Sequence, residues 1–432
     1  MKKVLLGTSA IALAGAFAAP ASATEWTVRV GGYMEQYAAY QKPNVDLVTG
    51  NDFFSTGLFA PVPGPDGVFD SLTRHPRPDL SGVDSKQDAE IHFLPSITLD
   101  NGLLIGAVIE LEGNTSGDQI DESYMRIKGS FGEFNLGSEN SAGYKMMYAA
   151  PDVTFVGVNS GSMSNWIPFS GPGAGADIFR GTLGSSFIET LRNNDIHRFT
   201  YYTPRFAGFQ VGVSYARDNT QDSNAALDCN TNACDFFDVG ANYVNSFGAF
   251  NVALAGRYGI VDTPGGGGSP EVWAAGANLG FGGFTVGGSY AYSDKDHGVQ
   301  HGRFWDAGIS YETGPWGFSV THSRGKNVDN DCTALARAAA RNTANGFDAG
   351  APIDPAIDFG GTCLGGLNDK EELRQYLAGI SYALAKGVAL NVFGGYVEFE
   401  GAEIEDIFAG EGEKFRTDMD GWVVGTGIKI SF

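Results

Sequence analysis

Charged residues recur in this sequence where every second residue is apolar, and that spacing limits the chemistry they can do. Arg29, Arg126, Lys128, Arg198 and Arg257 share parity with small and polar neighbours, as do Glu110 and Glu112. Successive side chains of an extended chain point to opposite faces, so these charges fall opposite the apolar residues. A second set, Asp152, Asp177 and Glu189, lies in a stretch where the alternation stops, alongside Lys145, Arg180 and Arg192. Charges lining a wet interior act on ions and polar solutes through diameter and field. The plainer alternative is that they solvate that interior and form local pairs.

Residue patterns for bond-breaking chemistry do not emerge. The six histidines are scattered, and no G-x-S-x-G or H-E-x-x-H run is present. The glycine-rich runs GPGAGAD and TPGGGGSP lack the Lys-Ser/Thr and helix of a phosphate cradle. No catalytic residue, cofactor or metal centre is therefore assigned. Four cysteines fall in pairs, Cys229 with Cys234 in one expected loop and Cys332 with Cys363 in another. In an oxidising compartment such pairs are disulfide candidates, with connectivity left open. Zinc is the alternative, although neither pair has C-x-x-C spacing.

The net charge of −22 disfavours nucleic acid as a partner. It is compatible with cations, or with anionic lipopolysaccharide bridged by divalent metal. Acids concentrate in the 218–235 and 400–420 segments, where they raise local cation concentration. Ca²⁺ between outer-loop carboxylates is the competing reading, though no EF-hand pattern supports it.

The elements that must position these residues are strands. Alternation predicts them over about 26–40, 88–99, 103–112, 122–131, 133–138, 196–203, 209–217, 237–245, 250–261, 271–281, 284–293, 303–313, 316–325, 371–384, 388–399 and 420–432. The run 41–87, rich in Gly, Pro and Asp, reads as a loop, because so many prolines do not fit a ladder. Asp100-Asn101-Gly102 marks a hairpin. Short turns on one side, long connections on the other and an even strand number predict an all-β, sixteen-stranded antiparallel transmembrane β-barrel. A soluble β-sandwich would not need aromatics at strand ends such as Trp26, Phe209, Tyr215, Phe281, Phe284, Tyr290, Tyr292 and Trp316. The 139–195 stretch, long and without recognisable secondary structure, is expected to fold into the lumen and narrow a water-filled pore. Its aromatics Tyr144, Tyr148, Trp166 and Phe169 offer stacking platforms to a specific solute, and a loop that plugs the barrel is a third possibility.

The first 23 residues have the form of a secretory signal. Met1-Lys2-Lys3 precedes an apolar run from Val4 to Phe17 and an A-x-A site at Ala21-Ser22-Ala23, so cleavage after Ala23 would leave 24–432 as the barrel. That run is shorter than the ~20 residues of a spanning helix. Only 18% of residues are charged, and 62 glycines against 17 prolines suit an all-β chain with tight turns.

Three stretches carry a family resemblance. HRFTYYTPRFAGFQVGVSYARD at 197–218 resembles the strand-turn-strand signature of Gram-negative general-diffusion porins. GWVVGTGIKISF, ending in Phe432, is similar to the strand that barrel-assembly machinery reads, and MMYAAPDV to the constriction loop of alphaproteobacterial porins. The resemblance implies a homotrimer of sixteen-stranded outer-membrane barrels passing small hydrophilic solutes. It also implies basic wall residues facing acids on the constriction loop, here Asp152, Asp177 and Glu189. Together with the acidic outer loops, this gives the expectation of a cation-preferring passive channel without enzyme activity, in contact with lipid and lipopolysaccharide.

Overall fold

The computed structural model describes residues 25–47, 80–113, 119–167, 181–190, 194–220, 225–264, 269–294, 301–329, 369–400, 404–405, 414–415 and 417–432. Before the long loop come β1 (Thr27–Leu47), β2 (Gly82–Thr98), β3 (Leu104–Glu112), β4 (Ile120–Gly129) and β5 (Gly132–Glu139). Two one-turn helices follow, α1 (Ala142–Met146) and α2 (Ser162–Trp166). The chain continues through β6 (Ile196–Tyr202), β7 (Phe209–Asp218), β8 (Cys234–Phe247), β9 (Phe250–Asp262), β10 (Glu271–Phe281) and β11 (Phe284–Ser293). Next are β12 (His301–Thr313), β13 (Trp316–Asp329), β14 (Asp369–Ala385) and β15 (Val388–Glu400). A two-residue hairpin, β16 (Ile404–Glu405) with β17 (Lys414–Phe415), precedes β18 (Thr417–Ser431).

Sixteen of these strands, β1 to β15 and β18, form one closed antiparallel barrel in which β18 pairs with both β15 and β1. The seam is long, from Tyr33 opposite Ser431 to Leu47 opposite Thr417. Gly32 and Phe432 exchange two backbone hydrogen bonds of 3.1 Å at its end. Closure pairs the backbone groups within the sheet, which hydrocarbon would otherwise leave without partners.

The outward face is apolar across its middle, with charged pairs such as Arg324–Glu372 and Arg374–Glu398 toward the long connections, and its aromatics form two belts. Near the short turns, Phe250 lies 4.8 Å from Phe281, Phe284 4.3 Å from Tyr311 and Trp316 4.6 Å from Tyr382, ring centre to ring centre. Near the long connections, Tyr258 lies 4.3 Å from Trp273 and Tyr40 5.4 Å from Trp422. On β10 the exposed Ala275, Ala277 and Leu279 lie between the belts. Amphipathic rings at two levels with small and aliphatic residues between them mark the two interfaces of a bilayer.

Two expectations need correction. The connection between the first strands is shorter than 41–87, because β1 runs to Leu47 and β2 begins at Gly82. Pro43 sits inside β1, but β2 ends opposite Gln41, so beyond that point β1 has only β18 as neighbour. Proline is tolerated where a strand has one free edge. The 139–195 segment is also not devoid of secondary structure. Ser141 caps α1 by accepting from the Tyr144 N–H at 3.3 Å, a local bond that period-two reading does not register. At Asp100-Asn101-Gly102 the expected tight turn is present, with Gly102 at φ 81°, where a side chain would be strained.

Candidate functional site

The described residues of the 140–190 segment, 140–167 and 181–190, lie mainly against one wall of the barrel's inner face and leave most of another wall open. Both ends of that segment are fixed at one place. Asn140 donates to Glu122 and, at 2.8 Å, to Asp195, while Lys145 bonds Glu122 at 2.9 Å and Glu139 at 2.8 Å. Burial works against the Lys145 charge, but the two carboxylates outweigh it and raise its pKa above the usual lysine value.

From that base the segment crosses the inward side chains of successive strands. The Ala142 N–H donates to Ser214 on β7 at 2.8 Å, and that of Gly143 to Asp238 on β8 at 2.6 Å. Asp238 also pairs with Arg257 on β9. Ala150 donates to Asp306 on β12 at 3.2 Å and Val153 to Ser319 on β13 at 3.2 Å. The Val158 carbonyl accepts from Ser323 and from Gln375 on β14, both at 3.0 Å, and the Val153 carbonyl from Asn391 on β15 at 3.1 Å. The returning chain bonds Thr182 to Asn327 at 2.7 Å. The irregular backbone thus meets a polar wall that supplies the hydrogen bonds it cannot make internally.

Two further features seat the segment. A Cβ on Gly276 would overlap the Tyr148 carbonyl oxygen, and one on Gly325 that of Leu183. Glycine there lets the loop backbone touch the wall. Beyond Val153 the contact becomes apolar: Val156, Val158, Met163, Trp166 and Ile167 pack with Tyr37, Leu373, Leu377, Phe393, Val397 and Val423. Trp166, only 2% exposed, lies 6.1 Å from Phe393. This internal core was not anticipated. Its signal is that Leu373, Leu377, Val397 and Phe399 are apolar at the inward parity, where alternation calls for polar residues.

The site residues fall into three groups. Arg198 and Arg257 have inward parity but are only 3% and 4% exposed; Arg257 also reaches Ser141 of the loop at 3.3 Å. Asp152 accepts from the Thr154 N–H at 2.8 Å and from Ser319 at 2.9 Å. Burial pushes its pKa up, against the hydrogen bonds from Thr154, Ser319 and Thr321. Glu189 is buried with Arg198 nearby. These four belong to the covered wall.

The second group lies on the open wall. Glu110 and Glu112 on β3 face the interior beside β2, with Glu112 opposite Glu90 and Glu110 opposite His92. Asp88 on β2 and Glu35 on β1 are register partners, and Glu35 pairs with Lys429 and Tyr37. Arg29, Arg126 and Lys128 share this wall but sit closer to the short turns, opposite Leu94, Gly106 and Leu104. Lys128 pairs with Glu133 at 3.1 Å. On the open wall Arg29, Arg126 and Lys128 therefore lie toward the short turns and Asp88, Glu90, Glu110 and Glu112 toward the long connections, where Lys86 also faces inward and pairs with Asp84 at 2.7 Å. Asp177, Cys332, Cys363 and the signal segment form the third group, outside the described residues. Cys229 and Cys234 are joined by a disulfide with Cα atoms 5.6 Å apart, tying the start of β8 to the connection before it.

A closed sixteen-strand barrel with a lipid-facing exterior and a polar, charged interior defines an integral outer-membrane channel protein. A profile of Gram-negative porins matches residues 8–402, and the chain belongs to that family. The anion-selective porin of Comamonas acidovorans has a similar structure, at 17% identity and TM-score 0.52, over 94% of this chain and 100% of that one. So does the trimer form of OmpT, an outer membrane protein of Vibrio cholerae, at 12% identity and TM-score 0.53, over 95% and 100%. At these identities the likeness concerns the fold. No curated protein sequence matches the chain. Family and fold together make this an outer-membrane channel for passive diffusion.

Proposed function

We propose that this porin is a cation-preferring diffusion pore, narrowed by the 139–195 segment and without enzyme activity. The observation that carries the reading is the open wall. Asp88, Glu90, Glu110 and Glu112 lie close together on β2 and β3, Arg29, Arg126 and Lys128 stand nearer the short turns, and Lys86 beside the acids is paired with Asp84. Carboxylates fixed beside a confined aqueous path raise the local concentration of cations and repel anions. The Comamonas acidovorans protein, described as anion-selective, shares the fold, so selectivity here rests on this chain's own charges.

A homotrimer in contact with lipid and lipopolysaccharide, assembled by machinery that reads the Phe432 strand, completes the proposal. The OmpT structure described as a trimer form gives the oligomer its support. Export by a leader removed after Ala23 predicts a mature chain beginning at Thr24, which N-terminal sequencing reads directly. The decisive experiment is current through the purified, refolded protein in a planar bilayer under a KCl gradient. Insertion steps in threes and a reversal potential favouring K⁺ support the reading. A potential favouring Cl⁻ overturns the selectivity, and a membrane closed at all voltages turns the loop from a constriction into a plug.

A further inference from the structure

Glu90, His92 and Glu110 form a tight group on the open wall. Glu90 and His92 are two apart on β2 and so share its inner face, and Glu110 on β3 stands directly opposite His92. The His92 Nε2 lies 2.6 Å from Glu90 Oε2, and its Nδ1 lies 3.9 Å from Glu110 Oε1. One ligand atom from each residue can be chosen so that all three lie within 4.8 Å of one another. Bonds of about 2.0–2.2 Å to a metal set donors up to about 4 Å apart, so closing on an ion takes a contraction of under about 1 Å.

We propose that Glu90, His92 and Glu110 bind a divalent transition-metal ion, of which Zn²⁺ is the probe, in the wall of the pore. Two further observations favour an ion over a plain hydrogen-bonded pair. The second oxygen of Glu90 accepts from the Tyr33 hydroxyl at 2.7 Å, which orients the carboxylate as outer-shell partners orient metal ligands. All these residues sit on paired strands, which hold a site more firmly than loops do. The imidazole nitrogen selects against Mg²⁺ and Ca²⁺, which take oxygen ligands. The inference deepens the channel reading, and rests on it only for its consequence: an ion held there impedes K⁺.

The test is titration of the folded, detergent-solubilised full chain with ZnCl₂, followed by calorimetry, beside K⁺ current in a bilayer with and without Zn²⁺. The parent protein is expected to bind one Zn²⁺ per chain, with excess Mg²⁺ failing to compete. His92→Gln and Glu110→Gln each weaken binding at least roughly tenfold, and Tyr33→Phe weakens it by about tenfold. His322→Ala is the control, since that ring stacks on Tyr376 at 4.3 Å on the outer face; it leaves the titration unchanged. Circular dichroism establishes that each variant retains its barrel. A titration unaltered by His92→Gln, or absent in the parent, overturns the proposal. Zn²⁺ binding lost in His92→Gln without any K⁺ current in the parent keeps the site and removes the channel reading.

Discussion

The walls from β7 to β15 and from β1 to β4 are built from the same alternating strands, yet their inward residues differ in kind. On the first wall most are serine, threonine, asparagine, glutamine and glycine with a buried Arg257–Asp238 pair, joined on β14 and β15 by the apolar Leu373, Leu377, Phe393 and Val397. On the second they include Asp88, Glu90, Glu110, Glu112 and Arg126, and the described loop residues touch that wall mainly at Glu122 and Tyr37. Neutral hydrogen-bonding groups and glycine suit a wall that holds backbone; charge suits a wall that meets water. The larger part of the cylinder is a mould and the smaller a lining, so substitutions should act on shape in the first and on selectivity in the second.

Breaking the covered wall should give the largest effect. Arg257→Ala leaves Asp238 buried without its cation while Asp238 still holds the Gly143 N–H. Removing one partner of a buried pair costs about 3–5 kcal/mol. The expected outcome is a clearly lower urea midpoint in detergent, together with noisy, enlarged single-channel currents as α1 loosens. An unchanged midpoint would remove Arg257 from the anchoring role.

A second substitution separates seating from charge. Gly276→Val forces a side chain against the Tyr148 carbonyl, and overpacking costs about 1–3 kcal/mol. Conductance should change while the reversal potential under a KCl gradient stays put, since no charge is altered. A shifted reversal potential would mean that the loop itself sets selectivity.

The smallest structural effect and the clearest electrical one belong to the open wall. Glu110→Gln with Glu112→Gln should shift the reversal potential toward Cl⁻ and leave the midpoint within about 0.5 kcal/mol. The parent's preference should also fade between 0.1 M and 1 M salt, as the screening length falls from about 10 Å to about 3 Å. Selectivity that survives both changes would place the filter elsewhere.

The strands and their closure were legible because period-two alternation is a local property that a membrane barrel must keep along its length. The division of the interior was not. Parity puts Arg257 and Glu110 on the same face, but parity does not say which part of that face another segment lies against. Asp152 and Trp166 show the same limit: a carboxylate and an aromatic in a polar loop read as solute-facing groups, whereas here they hydrogen-bond to β13 and pack on Phe393. The apolar inward residues of β14 and β15 were the available clue. They broke the alternation because a buried loop, and not water, stood in front of them.

The seam between β1 and β18 has a consequence for biogenesis. Tyr33 waits for Ser431 and Gly32 for Phe432, so the first strand's partner on that side is synthesised long after it. Until β18 pairs with β1, the edge strands keep unpaired backbone groups, the state most prone to pair with the wrong chain. Contacts between such distant parts of a chain form slowly. Sealing the cylinder therefore waits on the last strand of the chain.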